Sequence, residues 1–319
     1  MKRLFALLLC LCLATGLAAC GAAPAPTEPP LFSTESPAVP TDAPAVTEAT
    51  DAPQEDGAPK VDESLTEELN LQQELLRNED CAFSITEAEL NEHLGMRIHV
   101  LCENTSDRPL LFTWANTSVC GFMYDPFWAE EVAPGKKVNS IIDFDTYALE
   151  QLGVESVDEI SFTLSVSDSE EFLNEPAANL ACTIYPTGKT AETAVFPAYR
   201  HKNGETVITQ KDGLTFIIES VEDEVSEYYT LNCYIANSTD RNLLVSWDRV
   251  SVNGFMVDPF WASTVSAGKQ LVTQIYFLRT DLEAQGIEDV SEIEFTLLAM
   301  DADDWDADYL LCETYTFNP

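Results

Sequence analysis

Apolar and polar side chains alternate with a period of two in several short stretches of this chain. The pattern is clear at residues 96–102 and 229–235, and again at 160–166 and 293–299. Turn signals such as Asn-Thr-Ser-Asp and Pro-Gly separate these stretches. A period of two is typical of antiparallel strands with one buried face. The chain is therefore predicted to be all-β, with short helical turns at residues 147–152 and 281–285 that end at Gly153 and Gly286.

The strand patterns belong to an internal duplication. Residues 104–108, 121–129 and 157–164 recur at 237–241, 254–262 and 290–297, always 133 positions later (237 − 104, 254 − 121, 290 − 157). Each copy is long enough for its own core and predicts about seven strands. We therefore expect two tandem antiparallel β-sandwiches, repeat 1 at residues 80–186 and repeat 2 at 213–319, joined by a connector at 187–212.

The residues before the repeats predict three further segments. Leucines at positions 65, 69, 75 and 76 among Glu and Gln indicate a short helix at residues 62–79. Residues 20–61 are mainly Pro, Ala, Thr and acidic residues, which bury too little surface to order, so a disordered linker is predicted. If extended as polyproline II, such a segment would reach about 100 Å.

The first 19 residues have the organisation of an export signal. Lys2 and Arg3 precede an apolar run, and the small residues of Leu17-Ala18-Ala19-Cys20 follow. This ending resembles the lipobox of bacterial lipoproteins. The resemblance implies that a signal peptide spanning residues 1–19 is removed and that Cys20 is acylated. The expected location is the extracytoplasmic face of the cell membrane, with the lipid as the anchor.

Composition limits the possible partners. The formal net charge is −39, which excludes nucleic acid as a partner because binding to phosphates requires a basic surface. The turn sequence N-[TS]-[ST]-D-R, the strand end S-V-x-G-F and the Gly-Lys turn resemble immunoglobulin-like modules of surface lipoproteins from Gram-positive bacteria. The resemblance covers residues 80–319 and implies an immunoglobulin-like sandwich without a defined activity.

The cysteines and histidines do not form a catalytic pattern. Six cysteines lie in the repeats, at positions 81, 102, 120, 182, 233 and 312. Four of them align with ordinary core residues of the other copy, which favours buried thiols, while a disulfide among Cys81, Cys102 and Cys182 remains an alternative. The histidines at positions 93, 99 and 201 have no histidine counterpart in the other copy, and no hydrolase or zinc-enzyme motif occurs. We therefore expect that the protein is not an enzyme and that it needs no cofactor.

Two groups of residues are candidates for binding. An acidic run offers carboxylates that could hold Ca²⁺, although it lacks the EF-hand pattern, and a solvated acidic loop is the alternative. Its members are Asp301, Asp303, Asp304, Asp306 and Asp308. The duplicated block G-F-M-x-D-P-F-W-A supplies aromatic residues that could form a recognition patch or plug the core. They are Phe122, Phe127, Trp128, Phe255, Phe260 and Trp261.

These observations lead to a functional expectation. The chain is interpreted as a lipid-anchored, non-catalytic surface protein that binds an envelope or extracellular protein, glycan or peptide. A structural envelope protein without a ligand is the alternative, and a solute receptor is less favoured because no βαβ pattern is present.

Overall fold

The computed structural model describes residues 66–69, 71–91, 95–171, 175–223 and 227–319. The predicted signal peptide at 1–19, Cys20 and the linker at 20–61 lie outside these residues. Within them, no helix is both long and apolar enough to cross a membrane.

The described residues of the first repeat form ten strands and one short helix. They are β1 Thr66–Leu69, β2 Gln73–Arg77, β3 Cys81–Asn91, β4 Gly95–Asn104, β5 Leu110–Val119, β6 Phe122–Met123, β7 Ala129–Val132, β8 Lys137–Phe144, α1 Thr146–Gln151, β9 Ile160–Asp168 and β10 Ala178–Ile184. One sheet has the order β1-β3-β4-β8, with β2 also on β3. The facing strands have the order β10-β9-β5, with β6 and β7 on β5.

The second repeat follows the same plan. Its elements are β11 Thr206–Lys211, β12 Leu214–Glu222, β13 Tyr228–Asn237, β14 Leu243–Val252, β15 Phe255–Met256, β16 Ala262–Val265, β17 Gln270–Leu278, α2 Arg279–Ala284, β18 Ile293–Asp301 and β19 Leu311–Phe317. The order β11-β12-β13-β17 forms one sheet face, and β19-β18-β14 with β15 and β16 forms the other. The predicted fold class, two tandem immunoglobulin-like antiparallel β-sandwiches, is confirmed.

The period of two places alternate side chains in the core. In β4, Met96, Ile98, Val100 and Cys102 are fully buried, while the residues between them are half-buried. Each core also contains a stacked pair from its second sheet. Trp114 lies 3.6 Å from Phe162 and Trp247 lies 3.8 Å from Phe295 between ring centroids, both at 13°. Such pairs add to the stabilisation from buried apolar area.

The short helices lie where the sequence predicts them. In the first repeat, the side chain of Asp145 caps α1 by accepting hydrogen bonds from the N–H groups of Tyr147 and Ala148. Both helices are followed by a glycine with positive φ, at +84° for Gly153 and +75° for Gly286. This left-handed conformation ends a helix at low steric cost only when the residue is glycine.

The predicted helix at residues 62–79 is wrong. The described residues of this segment form β1 and β2, which pair with opposite ends of β3. A bulge at Leu75 allows the consecutive Leu75 and Leu76 both to pack against the core, so the leucine spacing imitates a helical pattern. Pairing with β3 satisfies backbone N–H and C=O groups of this segment. A lone helix of this length would be only marginally stable in water.

The same correction changes the boundary of repeat 2. Strand β11, at the end of the predicted connector 187–212, is the counterpart of β2 at the common offset. Both repeats therefore begin with a strand that lies before the boundary predicted from the sequence.

A short bridge joins the two sandwiches. Phe122 of β6 pairs in parallel with Gln270 of β17, and the Gln270 N–H donates to the Gly121 carbonyl at 2.9 Å. The strands on either side thus form one nine-stranded sheet. The ring of Tyr199 in the connector stacks on Tyr234 at 3.7 Å.

One asparagine ties together the turns of each sandwich. The Asn104 amide donates to the carbonyls of Arg108 and Val132 at 2.8 Å, and its oxygen accepts from the N–H and hydroxyl of Ser106. In repeat 2, Asn237 makes the same bonds to Arg241, Val265 and Thr239. Both asparagines are buried.

Asn104→Ala is expected to lower the free energy of unfolding by about 2 kcal/mol, because it leaves buried backbone carbonyls without a donor. Asn179→Ala, at an exposed position of β10, is the matched control and should change stability by less than about 0.5 kcal/mol. Urea unfolding of the full chain measures both. Equal effects of the two substitutions would contradict this role of Asn104.

Candidate functional site

The duplicated aromatic block points in two directions. In repeat 1, Trp128 is buried, with its ring edge-on to Trp114 at 6.4 Å and to Phe83 at 6.0 Å. Its indole N–H donates to the Ser140 hydroxyl at 3.0 Å. The residue before it, Phe127, is 92% exposed. The block therefore contains a core anchor beside a projecting phenylalanine.

Repeat 2 repeats this arrangement. Trp261 lies edge-on to Trp247 at 6.1 Å and to Phe216 at 6.0 Å, and it packs against the second core. Phe260 is 91% exposed. Of the six predicted binding residues, Trp128, Trp261 and Phe122 serve packing, whereas Phe127 and Phe260 project fully and Phe255 is about half exposed.

The backbone holds both projecting phenylalanines in a left-handed conformation, with φ of +51° at Phe127 and +49° at Phe260. A carboxylate fixes each turn: Asp125 Oδ1 accepts the Phe127 N–H, and Asp258 Oδ1 accepts the Phe260 N–H, each at 2.8 Å. A positive φ is costly for a bulky side chain. Neither the exposed ring nor the positive φ of these residues therefore stabilises the folded monomer.

An open groove lies between the two sandwiches. It has a volume of about 310 Å³, and its walls include Trp114, Thr117, Tyr124 and Asp125 from repeat 1 and Thr264 and Leu271 from repeat 2. Sequence reasoning missed this groove because each repeat supplies only part of its wall. Its size lies near the lower end of the range for small-molecule sites.

The acidic residues proposed for Ca²⁺ are engaged mainly within their own loop. Asp301 Oδ1 accepts the Asp303 N–H at 2.9 Å, and Asp304 Oδ1 accepts the Asp306 N–H at 3.1 Å. Asp303 Oδ2 accepts from the Asn242 amide at 2.9 Å, and Asp308 is exposed later in the loop. Across the described ranges, no group of three or more His, Cys, Asp or Glu is placed to hold a metal ion.

The six cysteines of the repeats are free thiols, of which only Cys312 is exposed. Burial raises the pKa of Cys81 to about 11 and that of Cys102 to about 12. Such thiols carry little thiolate at neutral pH and act as small apolar side chains.

The described histidines face carboxylates. His201 Nδ1 lies 2.5 Å from Glu205 Oε1, and His99 Nε2 lies 3.5 Å from Glu89 Oε1. His93 lies outside the described residues. These contacts lie at the surface or at its edge, and they are ion pairs only when the imidazole is protonated.

Comparisons with known proteins add little. No family model matches the chain, and no curated protein matches it. The solved complex of the Salmonella enterica SafA pilin with the SafB chaperone matches 70% of this chain and 89% of that chain, at 11% identity and a TM-score of 0.18. A likeness of this size carries no argument about fold or function.

Replacing Phe127 tests whether it serves the fold. We expect Phe127→Gly to be more stable than Phe127→Ala by about 1 kcal/mol, because glycine adopts a positive φ without a steric penalty. Phe260→Gly and Phe260→Ala should differ in the same sense. Thermal or urea unfolding of the full chain measures the difference. If the glycine variants are the less stable ones, the positive φ is not a source of strain.

Proposed function

We propose that this protein is a lipid-anchored, non-catalytic component of the extracytoplasmic surface that binds a partner through Phe127 and Phe260. The observation that carries the proposal is the exposure of these two rings, at 92% and 91%, in the same left-handed turn of each sandwich. An exposed ring on a strained backbone stabilises nothing inside the monomer. Its value is best explained by contact with another molecule.

The proposed contact is apolar at its centre. Aromatic side chains inserted into a pocket of the partner supply much of the energy of an interface. The aspartate that fixes each turn holds the phenylalanine in place before binding, which reduces the entropy lost on association. Two such residues on one chain would act together on a partner that has two pockets.

Charge restricts the chemistry of the partner. The net charge of −39 repels acidic surfaces and favours neutral or basic ones. A protein or peptide with an apolar pocket and a neutral or basic rim fits these requirements better than a glycan, because a phenylalanine ring offers no hydrogen bond to sugar hydroxyls.

The anchor in this proposal is Cys20. Its support is the order of a basic start, an apolar run and small residues before the cysteine. Because a single acyl chain binds membranes only marginally, stable anchoring would need more than one chain at this cysteine.

Cys20→Ser tests the anchor. In cells of the native host, the unmodified chain is expected to sediment with membranes and to incorporate labelled palmitate, whereas the variant should lose both properties. Cys312→Ser, at an exposed cysteine of the second repeat, is the matched control and should retain both. Incorporation of palmitate by the Cys20→Ser variant would contradict lipidation at this residue.

A structural role without a ligand remains the second candidate. The continuous sheet across the two sandwiches favours it, since a fixed junction suits a spacer. A solute receptor would instead use the groove between the sandwiches, and it should gain thermal stability when its small ligand is added.

The binding test uses the full chain immobilised against an extract of the native envelope. Protein retained by the unmodified chain should be lost with the double variant Phe127→Ser and Phe260→Ser, and each single variant should retain less. Tyr147→Ser removes another exposed aromatic residue and should retain as much as the unmodified chain. Equal retention by all variants would remove the two phenylalanines as the binding site and favour the structural role.

A further inference from the structure

The same strand edge is buried in one repeat and exposed in the other. In repeat 1, Phe122 of β6 is 1% exposed and Met123 is half-buried. At the corresponding positions of repeat 2, Phe255 of β15 is 48% exposed and Met256 is 67% exposed. Because the local sequence Gly-Phe-Met is identical, the difference arises from what covers each edge.

The second sandwich covers the edge in repeat 1. Ile217 and Tyr234 of repeat 2 belong to the buried cluster that contains Phe122. The Gln270 N–H donates to the Gly121 carbonyl at 2.9 Å.

An ion pair completes this junction. Lys269 Nζ lies 3.1 Å from Glu159 Oε1, and both side chains are largely buried. The junction therefore combines a backbone hydrogen bond, a covered phenylalanine and one pair of opposite charges.

The parts of this junction recur at one sheet edge in each repeat. Strand β15 ends its sheet in repeat 2, and β8, the counterpart of β17, ends its sheet in repeat 1. At the common offset, Lys136 corresponds to Lys269 and Glu292 corresponds to Glu159, and both of these residues are exposed. The chain thus presents the β15 edge and the β8 edge, whose counterparts β6 and β17 are already joined at the internal junction.

We propose that a second copy of this chain docks head to tail, with β15 of one molecule on the β8 edge of the next. The Lys137 N–H of one copy donates to the Gly254 carbonyl of the other, and Lys136 pairs with Glu292. Phe255 and Met256 then cover the half-buried Leu101 and Val138, which are the counterparts of Tyr234 and Leu271. An exposed sheet edge is a ready template for such pairing.

The interface between copies is weaker than the internal junction. The counterparts of Ile217 and Val272 are Ser84 and Asn139. The sheet face beside the β8 edge of repeat 1 is therefore less apolar than the corresponding face of repeat 2. Repulsion between chains of net charge −39 further opposes association at low salt.

The contact joins different surfaces of the two copies. Such a heterologous interface produces rings or open chains of molecules rather than a closed symmetric pair. The proposal does not involve Phe127 or Phe260, so it stands or fails separately from the proposed function.

Sedimentation velocity of the full chain tests the docking, with concentration raised at physiological salt. The average mass should rise beyond that of a dimer with increasing concentration. Lys136→Glu and Glu292→Lys should each weaken association at least tenfold, because each places like charges opposite one another. The double variant restores the pair and the original net charge, so it should recover association.

Two further variants locate the contact. The double variant Phe255→Ser and Met256→Ser should abolish association, whereas Phe260→Ser, an exposed phenylalanine of the same sandwich, should leave it unchanged. Urea unfolding shows whether each variant is folded. The leader is common to all of these chains, so any association through it cancels in the comparison.

Three outcomes would overturn the proposal. The first is a chain that stays monomeric at every concentration. The second is association that neither charge reversal weakens. The third is a double charge variant that fails to recover, since the loss would then reflect altered charge in general rather than the pairing of Lys136 with Glu292.

Discussion

The packing of one tryptophan of each aromatic block against the core positions the surface that we assign to binding. Trp128 and Trp261 lie edge-on to the tryptophan of a stacked pair in the core, and this contact fixes the loop that carries them. Because the anchor is the next residue along the chain, the preceding phenylalanine must leave the core. The Asp-Pro turn then sets its direction at a positive φ. The same loop therefore packs a tryptophan against the core and exposes the preceding phenylalanine to solvent.

Duplication gave the molecule two copies of the Gly-Phe-Met edge, and only one of them is buried. The Gly-Phe-Met edge of repeat 1 meets repeat 2, whereas the same edge of repeat 2 is exposed among the described residues. Identical local sequences are therefore buried to different extents, with Phe122 covered and Phe255 about half exposed to solvent. An exposed strand edge beside a phenylalanine and a methionine is the feature from which we infer self-association.

Much of the fold could be predicted from the sequence. The period of two identified the main strands, the common offset identified the two repeats, and Gly153 and Gly286 marked the ends of the helices. The helix at 62–79 failed because strand β2 contains a bulge, and a bulge disturbs the alternation by which a strand is recognised. The corresponding strand β11 contains a bulge as well, and the sequence pattern likewise assigns its residues to the connector.

The sequence by itself determined the all-β class, the duplication and the acidic charge, and it predicts a leader of residues 1–19 before Cys20. It also singled out the aromatic block, but not which of its rings faces the core. That was decided by the tertiary structure, because a positive φ at Phe127 and Phe260 breaks the period on which inside and outside are assigned. The contrast between Phe122 and Phe255 has a simpler cause: a neighbouring sandwich covers one residue and not the other, and no local sequence contains that information.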